Sequence, residues 1–206
     1  MRQRSDADSD SDSHAIYDHP MAIKPHCGRY IYIHYYIYTM TPTSVDAPKP
    51  KRLLFVCLGN ICRSPAAHAV MEAMVAEAGL DGQIEVDSCG VGDWHVGQLP
   101  DSRMRRHGAR RGYRVDHHAR QFSAADFDRF DYIIVMDEGN YRAISAKART
   151  QAQADRILRM SDYLDADCGY DSVPDPYYGG DRDFELALDL IEQGCRRLLS
   201  QLQRQL

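Results

Sequence analysis

The stretch LLFVCLGNICRSP, residues Leu53–Pro65, predicts much of how this chain folds. Its first four residues form a short apolar run, which is typical of a parallel β-strand buried on both faces. Ser64 and Pro65 indicate the start of a helix, because serine is a favoured N-cap and proline is favoured at the first helical position. We therefore expect a strand, a tight loop and a helix in direct succession.

The loop between this strand and helix has a composition suited to an anion. Five residues separate Cys57 from Arg63, so backbone amides can surround a phosphate-sized oxyanion, with a thiolate below it and a guanidinium beside it. A free thiol has a pKa of about 8.5 and needs cationic or hydrogen-bonding neighbours to act as a nucleophile at neutral pH. Gly59 and Asn60 both tolerate the positive φ that such a loop requires. The pattern indicates a cysteine that attacks phosphorus.

Five separated motifs resemble those of the low-molecular-weight protein tyrosine phosphatases. They occur in that family's order and are Val56–Pro65, Asp93–Gly97, His117–Gln121, Met136–Glu138 and Asp175–Gly179. The resemblance covers about residues 51–204 of the chain. It implies an enzyme without metal or cofactor that hydrolyses phosphotyrosine monoesters through a phosphocysteine intermediate.

Strands and helices alternate after residue 51. Apolar runs predict strands at Leu53–Cys57, Ile84–Ser88, Tyr132–Met136 and Arg156–Met160. Helices are predicted at Pro65–Ala78, Ser102–Arg111 and Glu138–Ala148, and a last helix has apolar residues at spacings of three and four from Phe184 to Leu202. This order predicts an α/β fold, a three-layer doubly wound (Rossmann-like) sheet of four parallel strands with helices on both faces. Such sheets bind ligands beyond the carboxyl ends of their strands, where Cys57 lies.

The resemblance implies catalytic roles for individual residues. Cys57 is the expected nucleophile, Arg63 the phosphate clamp, and Asp175 the general acid and then the general base. Prolines bracket Asp175 and would hold its carboxyl group in place, while Asp171 in the same segment is the competing candidate. The remaining residues expected in the phosphate-binding loop are Leu58, Gly59, Asn60, Ile61, Cys62 and Ser64.

Aromatic residues are expected to select the substrate. By resemblance, Trp94, Tyr177 and Tyr178 line a deep cleft for the ring of phosphotyrosine. Phosphoserine is too short for its phosphate to reach a nucleophile at the bottom of such a cleft. Ile61 adds an apolar edge at a position where a related phosphoarginine-phosphatase branch carries threonine, so it favours tyrosine.

Supporting residues follow from the same resemblance. Ser88 and His117, together with Asn60 and Ser64, are expected to hold the loop open by hydrogen bonds and to keep the thiolate charged, and Asp137 is expected to orient Arg63.

The six cysteines are interpreted as free thiols. They are Cys27, Cys57, Cys62, Cys89, Cys168 and Cys195, and none forms a C-x2-C metal pair. Cys62 lies on the same loop as Cys57, and the resemblance implies that it protects Cys57 from over-oxidation; a role in loop packing is an equal alternative.

Composition limits the partners. The net charge is −5 and the pI is about 6.0, which argues against general binding to nucleic acid or to anionic membranes. No apolar run has the length of about 18 residues that a membrane span needs, and no signal sequence is evident. We expect a cytoplasmic enzyme that acts on phosphotyrosine-containing proteins, as a monomer or a weak dimer.

The first 49 residues do not resemble part of the fold. Residues 1–49 are interpreted as a disordered or non-native N-terminal extension and residues 50–206 as the phosphatase domain. Ser5–Ser13 is polar, whereas Tyr30–Tyr38 is rich in tyrosine and isoleucine and prone to form a β-strand. Two interpretations remain open: translation starting at Met40, or an arm that adds a strand to a sheet.

Two alternatives to a tyrosine phosphatase also remain. An arsenate reductase shares the fold and a C-x5-R loop, but it relays electrons through further cysteines, and Cys89 has no obvious relay partner. Trp94 and the paired tyrosines also favour the phosphatase. An inactive phosphotyrosine-binding module is disfavoured by the intact Cys57, Arg63 and Asp175.

Overall fold

The computed structural model describes residues 49–206 of the chain. The predicted extension, residues 1–49, lies outside this part apart from Lys49, so the interpretations of it stay predictions. The described residues form four strands, β1 (Lys51–Cys57), β2 (Ile84–Gly90), β3 (Tyr132–Val135) and β4 (Ile157–Arg159). They pair in parallel in the order β2-β1-β3-β4, which confirms the predicted parallel sheet of four strands.

Six α-helices connect and flank these strands. They are α1 (Arg63–Glu77), α2 (Ser102–Arg110), α3 (Asp126–Arg129), α4 (Glu138–Ser145), α5 (Gln151–Ala154) and α6 (Asp181–Gln203). A 3-10 turn, Met160–Tyr163, follows β4 directly and makes that strand shorter than predicted. The sequence did not predict α3 and α5, because a helix of four residues is too short to show periodicity.

The sheet lies between two apolar layers, and successive side chains of β1 point alternately into one layer and the other. Leu53, Phe55 and Cys57 of β1 face the layer that contains α1 and α6, whereas Leu54 and Val56 face the layer formed by α3 and α4. Every side chain of this strand from Leu53 onward is buried. The doubly wound architecture is thus confirmed, and Cys57 is fixed at the carboxyl end of β1, one of the two inner strands.

The longest helix, α6, covers the layer next to α1. Its predicted apolar positions, Phe184, Leu188, Ile191, Cys195, Leu198 and Leu202, are all fully buried. No helix within residues 49–206 has the combination of length and apolar character that crossing a membrane requires.

Candidate active site

The loop between β1 and α1 closes tightly on itself and on β2. Asn60 has a φ of 57°, in the left-handed region that asparagine tolerates better than most residues. A Cβ atom on Gly90 would lie 3.0 Å from the Asn60 nitrogen, so only glycine lets the end of β2 approach the loop this closely. Backbone hydrogen bonds from Val91 to the Cys57 carbonyl and from Gly92 to the Leu58 carbonyl, both 2.9 Å, fix the loop against the segment after β2.

The Cys57 sulfur lies at the bottom of a cleft and accepts hydrogen bonds from its own loop. The Asn60 backbone N–H donates to Sγ at 3.3 Å. The Ser64 hydroxyl lies 3.1 Å from Sγ and also 3.1 Å from the Cys89 carbonyl. Both donors, with the amino-terminal end of α1, stabilise negative charge on the sulfur.

The Asn60 side chain is the centre of the hydrogen bonds behind the loop. Its amide group donates to Ser64 Oγ at 2.9 Å and to Ser88 Oγ at 3.0 Å, and its Oδ1 accepts from the Arg120 backbone N–H at 2.9 Å. Because both amide hydrogens go to hydroxyl oxygens, Ser64 keeps its own hydrogen for Cys57 or Cys89.

His117 reaches the loop through Ser88. Its Nε2 donates to the Ser88 carbonyl at 3.1 Å, and Ser88 Oγ accepts from Asn60. Burial, followed by the nearby His68, lowers the pKa of His117, which favours the neutral ring. The four supporting residues predicted by resemblance are therefore linked in one network.

Arg63 is buried between two carboxylates. Its side chain is only 3% exposed, and it donates to Asp137 Oδ2 at 2.5 Å, to Asp175 Oδ2 at 2.6 Å and to the Val173 carbonyl at 3.2 Å. Burial alone would lower the pKa of Arg63, but Cys57, Asp175 and Asp137 together raise it. Arg63 Nε is also buried, and it has no hydrogen-bond partner within residues 49–206. One strong donor is thus left for an anion in the loop.

The two candidate acids of the sequence analysis lie in different places. Asp175 lines the cleft with Cys57 and accepts from Arg63 through Oδ2 and from the Tyr177 backbone through Oδ1 at 3.2 Å. Asp171 lines a separate cavity beside Asp137 and Glu138. The structure therefore brings Asp175, and not Asp171, to the cleft.

Aromatic side chains form the rim of this cleft, which has a volume of about 340 Å³. Trp94 is 66% exposed and Tyr178 is 96% exposed, although both are large apolar side chains. Tyr177 packs edge-to-face against Tyr178, with ring centroids 4.9 Å apart. Ile61, a residue of the loop, also lines the cleft. Large aromatic side chains that remain exposed around a polar cleft are typical of a binding site.

The sequence analysis missed two residues at this rim. His95 lines the cleft, and its Nδ1 lies 3.0 Å from Gln98 Oε1. Arg103 donates to the Tyr177 carbonyl at 2.9 Å and packs 5.5 Å from the centre of the Tyr177 ring. His95 lies inside a quoted motif, which was a usable signal. Arg103 gave no signal in the sequence, because its partner Tyr177 is 74 residues away.

Cys62 lies within the loop and Cys89 lies beside it on β2, and burial favours the neutral thiol at both. Burial, with a smaller contribution from Asp101, raises the pKa of Cys62, which also lines the cleft. Burial raises the pKa of Cys89, whose side chain lies on the opposite layer. The cysteines of the described part, Cys57, Cys62, Cys89, Cys168 and Cys195, are all free thiols.

Known proteins share this loop-and-sheet architecture. The family model for low molecular weight phosphotyrosine protein phosphatase matches residues 52–206. A low molecular weight protein-tyrosine-phosphatase of Streptomyces coelicolor is 43% identical over 155 residues, which are 75% of this chain and 94% of that protein. A human low molecular weight phosphotyrosine protein phosphatase is 37% identical over 149 residues, 72% of this chain and 94% of its own. The crystal structure of a protein tyrosine phosphatase from Entamoeba histolytica matches with a TM-score of 0.72 at 42% identity and covers 75% of this chain and 97% of its own. The chain belongs to the low molecular weight phosphotyrosine protein phosphatase family.

Proposed function

We propose that this enzyme hydrolyses phosphotyrosine monoesters in proteins, with Cys57 as nucleophile, Arg63 as phosphate clamp and Asp175 as general acid and base. The observation that carries the proposal is the convergence of these three side chains on one cleft with an aromatic rim. The aromatic rim favours a phosphate ester of an aromatic alcohol. Membership of the family supports the same activity.

The loop offers a seat for the phosphate dianion. The amino-terminal end of α1 begins at Arg63, so its unpaired backbone N–H groups and its dipole favour an anion. Arg63 Nε, which has no hydrogen-bond partner among the described residues, adds a charged donor. Both would stabilise the charge on the equatorial oxygens as the phosphoryl group is transferred.

The first chemical step forms a bond between Cys57 Sγ and phosphorus. The ester P–O bond breaks, its electron pair goes to the tyrosine oxygen, and Asp175 gives its proton to that oxygen. Asp175 is held by Arg63 at 2.6 Å before substrate binds. A phosphate dianion competes for the same guanidinium, so we infer that substrate binding frees the carboxyl group to face the leaving oxygen.

The second step restores the enzyme. Asp175, now a carboxylate, takes a proton from water, and the resulting hydroxide oxygen attacks phosphorus. The S–P bond breaks, and the electron pair returns to Cys57 as a thiolate stabilised by Asn60 N–H and Ser64. Inorganic phosphate then leaves, and Asp175 is again protonated for the next turnover.

The rim of the cleft is proposed to select the substrate. Cys57 is only 3% exposed, whereas Trp94, Tyr177 and Tyr178 of the same cleft are exposed. We infer that a long, flat group carries the phosphate past these side chains to the sulfur. Ile61 presents an apolar edge where a charged guanidinium of phosphoarginine would lose hydration without a partner. These features favour phosphotyrosine over phosphoserine and phosphoarginine.

A working thiolate also bears on where the enzyme acts. The described cysteines are free, and thiols stay reduced in the cytoplasm more readily than in oxidising compartments. We therefore propose a cytoplasmic location and phosphotyrosine proteins as partners.

A turnover assay on matched substrates tests the proposal. Phosphate release is measured from one peptide carrying phosphotyrosine, phosphoserine or phosphoarginine, and arsenate reduction is measured with a thiol donor. We expect phosphotyrosine to be favoured by at least about 100-fold in kcat/KM, and Cys57→Ser to retain less than about 1% of the rate. Arsenate reduction without phosphatase activity, or a preference for another phosphoamino acid, would overturn it.

A further inference from the structure

Two histidines and a carboxylate lie together at the edge of the sheet, behind the phosphate-binding loop. His68 is on α1, Asp87 is on β2 and His117 is in the segment after α2. The two imidazole rings have centroids 4.7 Å apart, and one potential ligand atom from each of the three residues lies within 4.8 Å of the others. No step of the proposed reaction uses His68.

His68 is the most informative of the three. Its side chain is 91% buried, and its Nδ1 has no hydrogen-bond partner within residues 49–206. Its other nitrogen, Nε2, lies 3.1 Å from Glu72 Oε1. A carboxylate can only accept, so Nε2 carries the hydrogen and Nδ1 of the neutral ring presents a lone pair. A buried nitrogen that lacks a partner is unfavourable and needs a physical explanation.

The other two residues already have a spacing that suits a metal ion. His117 Nε2 lies 3.3 Å from Asp87 Oδ1. Ligands of a tetrahedral zinc ion with bonds of about 2.0–2.1 Å are about 3.4 Å apart. The ligand atom of His68 lies within 4.8 Å of the other two, so it must approach them by up to about 1.4 Å to reach the same spacing.

Surrounding groups support such a site. Glu72 accepts from His68 Nε2, and this carboxylate–histidine arrangement is common where the other ring nitrogen binds metal. Arg120 donates to Asp87 Oδ2 at 2.8 Å, whereas Oδ1 accepts from the Ser88 backbone N–H at 2.7 Å and lies 3.3 Å from His117 Nε2. Glu72 and Asp87 also line a broad cavity of about 870 Å³.

We propose that His68, Asp87 and His117 form a binding site for a divalent transition-metal ion, with zinc as the best fit. Two imidazoles and one carboxylate suit zinc or cobalt, whereas calcium and magnesium prefer oxygen ligands alone. Three protein ligands leave a coordination position for water. The positive charge of Arg120 beside Asp87 makes the site weaker than a structural zinc site with four ligands.

Metal at this site is coupled to the phosphate-binding loop. His117 Nε2 now donates to the Ser88 carbonyl, and coordination through Nε2 requires the hydrogen to move to Nδ1. The Ser88 carbonyl then loses this donor, while Ser88 Oγ remains bonded to Asn60 in the loop. Metal binding therefore removes one hydrogen bond beside the phosphate-binding loop, and the ion does not contact the Cys57 sulfur.

Metal titration of the full chain tests this proposal. The Cys57→Ser, Cys62→Ser double variant is the background, because loop thiolates also bind zinc. Zinc affinity is measured by competition with a chromophoric chelator, and cobalt binding by visible absorption. We expect one ion per chain, and cobalt d–d bands without the near-ultraviolet charge-transfer band that a thiolate ligand produces.

Two variants in that background distinguish this site from others. His68→Gln should weaken zinc binding at least tenfold, whereas His118→Gln, which removes the adjacent exposed histidine, should leave it unchanged. Circular dichroism checks that both variants fold, and Asp87→Asn replaces His68→Gln if that variant does not fold. Absence of zinc binding, or equal affinity in His68→Gln and His118→Gln, would overturn the proposal.

Discussion

Arg63 and Asp175 form the residue pair on which the proposed chemistry depends most. The guanidinium is almost fully buried, and its ion pairs to Asp137 and Asp175 hold it beside the cleft. Removing one partner of such a buried charge leaves the other unpaired, so these contacts position the clamp as well as neutralise it. Asp137 is also fixed from its other oxygen, because Oδ1 accepts from the Asn140 backbone N–H at 2.7 Å as the N-cap of α4.

The role of Asp175 can be separated from that of Arg63 by changing the leaving group. Asp175→Asn keeps the shape and a hydrogen-bonding group but removes the proton donor. For aryl phosphates with poor leaving groups we expect kcat to fall by about 10²–10⁴, with a much smaller loss for activated esters. The measurement is kcat across a series of leaving-group pKa values, with Asp171→Asn as the matched control. Equal losses across the series would mean that Asp175 is structural.

Cys62 provides a second prediction for a single residue. Peroxide converts the Cys57 thiolate to a sulfenic acid with release of hydroxide, and attack by the Cys62 thiol would then form a disulfide with release of water. We expect a dithiol to restore the wild-type enzyme after brief peroxide treatment. Cys62→Ser should instead lose activity permanently, because its sulfenic acid is oxidised to the sulfinic level. Cys168→Ser is the control, and identical recovery in all three proteins would reduce Cys62 to a packing role.

Some of these site residues could be predicted from their local spacing in the sequence, and others could not. Cys57 and Arg63 are separated by five residues, so their relation can be predicted from the loop alone. Ser88 and His117 were predictable only through resemblance, because they reach the loop from a different strand and a different segment. His68 gave no signal in the sequence, since its proximity to Asp87 and His117 depends on the packing of α1 against β2.

At the scale of elements, a cluster of ion pairs and hydrogen bonds joins helix α2 to helix α6. Glu185 of α6 lies 2.5 Å from His107 Nδ1 and 2.8 Å from Arg110, and it also pairs with Arg111. The hydrogen bond with His107, followed by those from the two arginines, lowers the pKa of Glu185 from 4.5 to about 2. His107 is buried and stacks on Phe184, so this cluster fixes α2 beside the rim of the cleft.

The stability of this cluster should depend on pH. The Glu185 pKa is lower in the folded than in the unfolded chain, so its contribution is present above pH 4.5 and is lost as the pH falls towards 2. Because the side chain is 37% exposed, we expect Glu185→Gln to cost only about 1 kcal/mol at pH 7. Urea unfolding at pH 7 and at pH 3.5 should show the difference from wild type shrinking. Glu77→Gln, an exposed change on α1, is the control; a constant or absent difference would contradict the assignment.

Element prediction succeeded where burial imposed a pattern. The strand Leu53–Cys57 was predicted because it is buried on both faces and therefore reads as a continuous apolar run. Helix α6 was predicted because its buried residues recur at spacings of three and four. The end of β2 was predicted two residues early, because Gly90 carries no side chain that indicates a strand. In the structure Cys89 and Gly90 continue the pairing with Val56 and Cys57 of β1, and Gly90 also bonds to the Arg120 carbonyl.

At the scale of the whole molecule, all residues of the proposed active site lie in the sequence range Cys57–Tyr178. We therefore expect a chain that starts at Met40 to match the full-length chain in kcat/KM and in thermal midpoint. Both proteins are assayed on the same phosphotyrosine peptide and unfolded in the same buffer. A fall in the midpoint of several degrees, which corresponds to about 1 kcal/mol in a domain of this size, would show that residues 1–39 stabilise the domain.

A covalent phosphoryl group on Cys57 is the central claim of this account, and its direct detection is the most decisive measurement. The full chain is mixed with a phosphotyrosine peptide, quenched within milliseconds by denaturant and analysed by mass spectrometry after digestion. We predict that the peptide containing Cys57 transiently carries the mass of one phosphoryl group. With an activated aryl phosphate, whose first step needs little help from an acid, this species should accumulate further in Asp175→Asn, whose second step lacks its base. Release of tyrosine without any phosphoryl group on Cys57, or wild-type turnover by Cys57→Ser, would contradict the account.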